Sequence, residues 1–134
     1  MAEINLIDKL LGAEPASEIT QKVNIERFGE FTVRALTAEE INKIREEATR
    51  YEIKGKERKA FVDETELGLL MVVKATVEPD FSDERLLKHF GAKTATQCVQ
   101  KALLAGELAQ LTQAVVAVSG LGDDDDELIE EAKN

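Results

Sequence analysis

The chain is expected to fold as an α+β protein, mainly helical, with five to six helices and one N-terminal β-hairpin. Two patterns predict this. Between Leu36 and Leu121 the sequence carries five helix-sized apolar stripes, each marked by a start or stop signal. Between residues 21 and 35 the period changes to strict alternation of apolar and polar side chains. Composition agrees: five Phe, one Tyr and no Trp leave the core to Leu, Ile, Val and Ala, which suits helix packing.

The elements follow in order. Asn5 can cap a short helix over residues 5–11, whose apolar face is Leu6, Ile7, Leu10 and Leu11, with Gly12 free to take a left-handed closing conformation. Residues 13–17, with Pro15, read as a linker, so 1–17 form a leading arm that either detaches or folds back. Val23 and Ile25, then Phe31, Val33 and Ala35, alternate with polar residues, and Gly29 lets the segment from Arg27 to Glu30 reverse the chain. A lone hairpin is marginal in water, so it should lie on the helices or pair with another chain.

Thr37-Ala38-Glu39-Glu40 is a capping box, and Leu36 with Ile41 matches a hydrophobic staple. Ile41, Ile44, Ala48 and Tyr51 then predict one narrow helical face, followed by an exposed loop over residues 52–60. Asp63 caps a denser apolar run through Val77, expected to be the central helix and to end at Glu78-Pro79. Ser82 is expected to cap a short helix carrying Leu86, Leu87 and Phe90, closed at Gly91. Thr94 opens the next, with Val99, Ala102 and Leu103, which Gly106 breaks or bends. Leu108, Leu111, Val115 and Val118 mark the last firm helix, which Gly120 and Leu121 end as a Schellman motif. Residues 18–121 are therefore expected to form one domain, followed by an acidic tail over 122–134.

Charge narrows the function classes. The net charge is −10, and residues 123–134 hold four Asp and three Glu against one Lys, a charge of −6 that leaves −4 for residues 1–122. Without a basic stripe to displace counterions, nucleic acid is not an expected partner. No apolar run approaches the ~20 residues of a membrane span, and the first residues lack a secretory pattern, so a cytoplasmic location is expected.

Candidate chemistry is sparse. The sole His89 and sole Cys98 sit on different predicted helices; Cys98 beside Val99 fits a small buried residue, and His89 suits a helix C-terminus. One of each cannot make a zinc site. Asp123 to Asp126 lack the alternation and sixth-position Gly of a calcium loop and read as a solvated run, or as the start of a short helix with Leu128, Ile129 and Ala132 on one face. No phosphate loop is present. No catalytic residue, metal or cofactor is expected. An assembly or binding protein is.

Two segments supply a resemblance. Phe31-Thr32-Val33-Arg34-Ala35-Leu36-Thr37-Ala38-Glu39-Glu40 runs a strand into a capped helix. Val77-Glu78-Pro79-Asp80-Phe81 continues through Leu86, Leu87, Phe90 and Gly91 to Leu103-Leu104-Ala105-Gly106-Glu107-Leu108 and ends at Val118-Ser119-Gly120-Leu121. In order and length this resembles the XkdN-like tail assembly chaperones of tailed phages and defective prophages, over about residues 20–121. The resemblance implies a non-enzymatic morphogenesis factor in the host cytoplasm. It would coat the tape measure protein, a long helical ruler, and keep it soluble until tail tube subunits polymerise around it, and it would be absent from the finished particle. The tape measure protein is thus the expected partner, with the tail tube protein and a second copy of the chain as further candidates. Surplus apolar residues off the core stripes, Leu104, Val116, Leu128 and Ile129, are the expected contacts. The alternative is a small acidic adaptor or inhibitor on a basic partner surface, which would need its carboxylates spread over the folded body.

Overall fold

A computed structural model describes residues 5–121, and in them the chain forms six α-helices and five strands. In order these are α1 (Leu6–Leu11), a 3₁₀ turn (Ala16–Glu18), β1 (Thr20–Ile25), β2 (Gly29–Arg34), α2 (Ala38–Glu47), β3 (Thr49–Lys54), β4 (Glu57–Val62), α3 (Glu64–Ala75), β5 (Thr76–Glu78), α4 (Glu84–Phe90), α5 (Ala95–Ala102) and α6 (Ala105–Val118). The strands make two antiparallel sheets, one ordered β1-β2-β5 and one of β3 and β4 alone. The expectation of one N-terminal hairpin is therefore wrong: there are two hairpins, and a fifth strand joins the first.

Each departure has a local cause. α2 stops at Glu47, the Thr49 hydroxyl donates back to the Arg45 carbonyl at 2.8 Å, and Tyr51 lies on β3. Its spacing from Ile44 and Ala48 imitated a helical face. Beyond it, Gly55 at φ 64° reverses the chain, so the expected loop over residues 52–60 is mostly strand. The central helix ends at Ala75 because β-branched Thr76 is already extended, at ψ 110°. Thr76 then pairs with Val33 and Glu78 with Thr32, across a register shift. Asp83, not Ser82, caps α4; the Ser82 amide and hydroxyl both donate to Asp80 Oδ1 instead. The break between α5 and α6 falls at extended Leu103 and Leu104, and Gly106 sits inside the first turn of α6. Gly12 closes α1 at φ −91°, outside the left-handed region.

The core joins the first sheet to the helices. α3 touches α2, α5, α6, β2 and β5, and α6 also lies on β1 and β2. Ile25, Val33, Val72, Val99, Leu111 and Val115 are wholly buried in one cluster. The end of α6 is tied to the start of α2. Gly120 at φ 82° lets the Leu121 amide donate to Val116 (2.9 Å), completing the Schellman motif, while the Ser119 hydroxyl accepts from the Leu36 amide (2.9 Å).

The capping box of α2 carries a second load. Glu40 accepts from the Thr37 amide at 3.1 Å and pairs with Arg34 through two contacts of 3.1 and 2.6 Å, linking β2 to α2. The Arg34 hydrogen bond, against the opposing cost of burial and with help from the Thr37 amide, holds the Glu40 carboxyl below its ordinary 4.5, at about 2.

Two outcomes are expected. Leu111→Ala leaves a cavity among fully buried neighbours and costs about 3 kcal/mol in urea unfolding. The depressed Glu40 value means its stabilisation is complete above about 4.5 and is lost as pH falls toward 2. Glu40→Gln therefore flattens the acid limb of stability against pH, by about 1 kcal/mol for this mostly screened pair, as read from urea midpoints across that range.

An aromatic groove with an acidic rim

Four of the five phenylalanines converge on one face. Phe28 in the β1–β2 turn, Phe31 on β2, Phe81 before α4 and Phe90 at its end line a groove of about 340 Å³. Pro79, Leu86 and Leu103 fill its walls, and Glu30 and Glu78 stand at its rim. Hairpin geometry makes the contact: Phe31 faces Val23 across β1–β2 and is buried, while Phe28, three residues earlier, is 54% exposed. The Phe28 and Phe31 rings stack at 6.2 Å, and Phe31 meets Phe81 at 6.3 Å with the rings tilted by 55°. Such pairs favour a fixed arrangement beyond the area they bury.

One cation is bound into this wall. Arg27 lies 4.5 Å from the Phe28 ring centre, donates through Nε and Nη2 to Glu107 at 2.7 and 2.6 Å, and reaches the Ala102 carbonyl at 3.1 Å. Glu107 in turn accepts from the Leu104 amide at 2.7 Å, so the hairpin turn is clamped to the start of α6. Hydrogen bonds from Arg27 and the Leu104 amide keep the Glu107 carboxyl ionised, at about 2. With Arg27 neutralised by Glu107, the remaining charges on the groove lining, Glu30 and Glu78, are negative.

The expected contact residues fall in different places. Leu104 is 59% exposed at the start of α6, next to the groove wall residue Leu103. Val116 is half-buried further along α6, packed against the core beside Ile41, Leu67, Met71 and Leu121 in a separate cavity. Leu128 and Ile129 lie outside the described residues. Sequence reading missed Phe28, which it had absorbed into a turn; a large aromatic beside the reversing glycine was the available signal.

Cys98 sits beneath the groove with no exposed surface, and burial pushes its thiol above the ordinary value, away from the reactive thiolate. His89 packs edge-on to Phe90 at 4.8 Å, on a different helix from Cys98. Among the described residues no three His, Cys, Asp or Glu side chains gather as a metal site, and no helix is long and apolar enough to cross a membrane.

Two further apolar surfaces are open. The α1 stripe of Leu6, Ile7, Leu10 and Leu11 has no buried member, and the β3–β4 hairpin exposes Tyr51, Ile53 and Phe61.

The chain is similar to two proteins of Bacillus subtilis. It is 26% identical over 106 residues to the phage-like element PBSX protein XkdN of Bacillus subtilis (strain 168), spanning 78% of this chain and 72% of that protein. It is 28% identical over 106 residues to the uncharacterized protein YqbN of the same strain, spanning 78% and 71%. The crystal structure of YqbN superposes with a TM-score of 0.66 at 18% identity, over 89% of this chain and 98% of that one, which establishes a shared fold. The family model for the phage XkdN-like tail assembly chaperone protein matches residues 7–133, nearly the whole sequence, and the chain belongs to that family.

Proposed function

We propose that this tail assembly chaperone acts on the tape measure protein, holding its apolar helical segments in solution in the host cytoplasm until tail tube subunits enclose them. The observation that carries the reading is the aromatic groove. A solvent-open cleft with Phe28 half out of the surface leaves unburied apolar area of the kind that marks a docking site. Its open wall of rings suits the apolar stripe of an amphipathic helix. The lining is mostly aromatic and aliphatic, with Cys98 buried beneath it, which supports a reading of binding.

The acidic rim adds selectivity. Glu30 and Glu78 favour a stripe flanked by Lys or Arg and steer its approach, and pairs exposed at the rim contribute to rate more than to lasting affinity. That combination fits a chaperone that must release. Of the expected contact set, Leu104 is exposed and next in sequence to the wall residue Leu103.

The test is co-expression with the tape measure protein of the same phage or prophage, reading the soluble fraction. Wild type is expected to keep the ruler soluble. Phe28→Asp is expected to lower affinity by at least about tenfold, since a central aromatic anchor is worth roughly 2 kcal/mol or more, while its melting temperature stays close to wild type because the ring is half-exposed. Removing residues 123–134 is expected to preserve binding. Unchanged binding by a folded Phe28→Asp chain contradicts the groove, and loss of binding on tail removal favours an acidic adaptor that holds a basic surface.

A further inference from the structure

The β3–β4 hairpin stands out from the rest of the described fold. Every residue from Arg50 to Phe61 is exposed, and neither strand pairs with the first sheet. Two-stranded ribbons are marginal in water, and among the described residues neither outer edge has a strand partner, the usual template for adding a further strand.

The register sorts its side chains. Thr49, Tyr51 and Ile53 lie opposite Val62, Ala60 and Arg58, and these six share one face. On it Tyr51 is 57% and Ile53 74% exposed, with the Arg58 guanidinium 4.0 Å from the Tyr51 ring centre. Arg50, Glu52 and Lys54 lie opposite Phe61, Lys59 and Glu57 on the other face. The ribbon is thus apolar on one side and charged, with alternating sign, on the other.

Lys54 and Glu57 flank a two-residue turn, so they form a hydrogen-bonded pair, as do Glu52 with Lys59 and Arg50 with Phe61. Thr49, Tyr51 and Ile53 therefore direct their backbone N–H and C=O groups outward along the outer edge of β3, where Arg50 Nη1 already donates to the Thr49 carbonyl at 3.4 Å and to the Glu47 carbonyl at 2.9 Å.

We propose that this edge pairs with the same edge of a second copy of the chain, antiparallel about a twofold axis at Tyr51, to make a four-stranded sheet. Self-complementary charges on β3 favour a second copy in this register. With Tyr51 opposite its symmetry mate, Arg50 faces Glu52 of the other copy, twice over, and Thr49 faces Ile53. A register centred on Glu52 sets Glu52 against itself and Arg50 against Lys54, both repulsive. The β4 edge offers less to itself: centring on Arg58 or Lys59 sets that cation against its own mate, and centring on Ala60 forms no charge pair. The β3 pairing is isologous, so it closes as a dimer, and it joins the two Tyr51–Ile53 faces into one apolar surface. The surface shares no residue with the aromatic groove, so the inference stands apart from the function proposed above.

Charge exchange tests it by sedimentation velocity on the full-length chain at low salt, where exposed ion pairs are least screened. Wild type is expected to dimerise by roughly 100 µM, and R50E and E52R, which each set like charges opposite, to weaken the dimer at least about tenfold. Mixing R50E with E52R restores both pairs across the axis and is expected to give a heterodimer. The double variant R50E/E52R is expected to dimerise again. A wild type that stays monomeric over that range overturns the proposal. So do single variants that associate as tightly as wild type, or a mixture and a double variant that both fail to recover the dimer.

Discussion

Everything else in this fold rests on the burial of one aliphatic layer between the β1–β2–β5 sheet and helices α3, α5 and α6. Ile25 and Val33 from the sheet meet Val72, Val99, Leu111 and Val115 from the helices in a cluster closed to solvent. At about 25 cal/mol per Å² of apolar area removed from water, a layer of this kind is the main force holding such elements together. It also sets the position of the aromatic groove. Because β1 and β2 lie on α6, the turn between them arrives at the start of that helix, where Arg27 meets Glu107 and the Phe28 ring is left facing out over Phe31 and Phe81. The groove is a by-product of where the core ends.

Polar contacts refine this placement. Arg34 with Glu40, Arg27 with Glu107, and Ser119 with the Leu36 amide each join segments far apart in sequence or in different elements, and each sits at an element end where the backbone has groups to satisfy. Their carboxylates serve twice, as partner of an arginine and as acceptor for a capping amide. That economy lets short helices such as α5 and the first turn of α6 hold a defined direction.

Sequence alone made the capped elements legible. Asn5, Thr37, Asp63 and Thr94 each accept the amide their patterns announce, and the Gly120–Leu121 ending forms as read. Such signals are local, carried by the residues that make the hydrogen bond. The second hairpin was hidden because its apolar residues are exposed: charges interrupt them on both strands, and Tyr51 falls by coincidence on the period of α2. β5 was hidden because three residues beside an apolar helix continue its composition, and only the edge of β2, remote in sequence, makes them a strand. The groove was out of reach for the same reason. Phe28 and Phe81 stand more than fifty residues apart, and nothing in either neighbourhood states that their rings share a wall.

For the role proposed above, coating a polymer and then leaving, an open aromatic cleft edged with carboxylates is a sensible compromise between grip and release. Rings supply area that does not depend on sequence detail, and the rim supplies direction without a deep buried ion pair. The most direct measurement places a photo-reactive phenylalanine analogue at position 28 and maps its cross-links on the co-expressed tape measure protein. Cross-links confined to the apolar stripes of the ruler's helices, with few at an equally exposed control position such as Glu14, are the predicted result. Cross-links to the ruler that are no more frequent from position 28 than from the control would contradict the groove as the site of action.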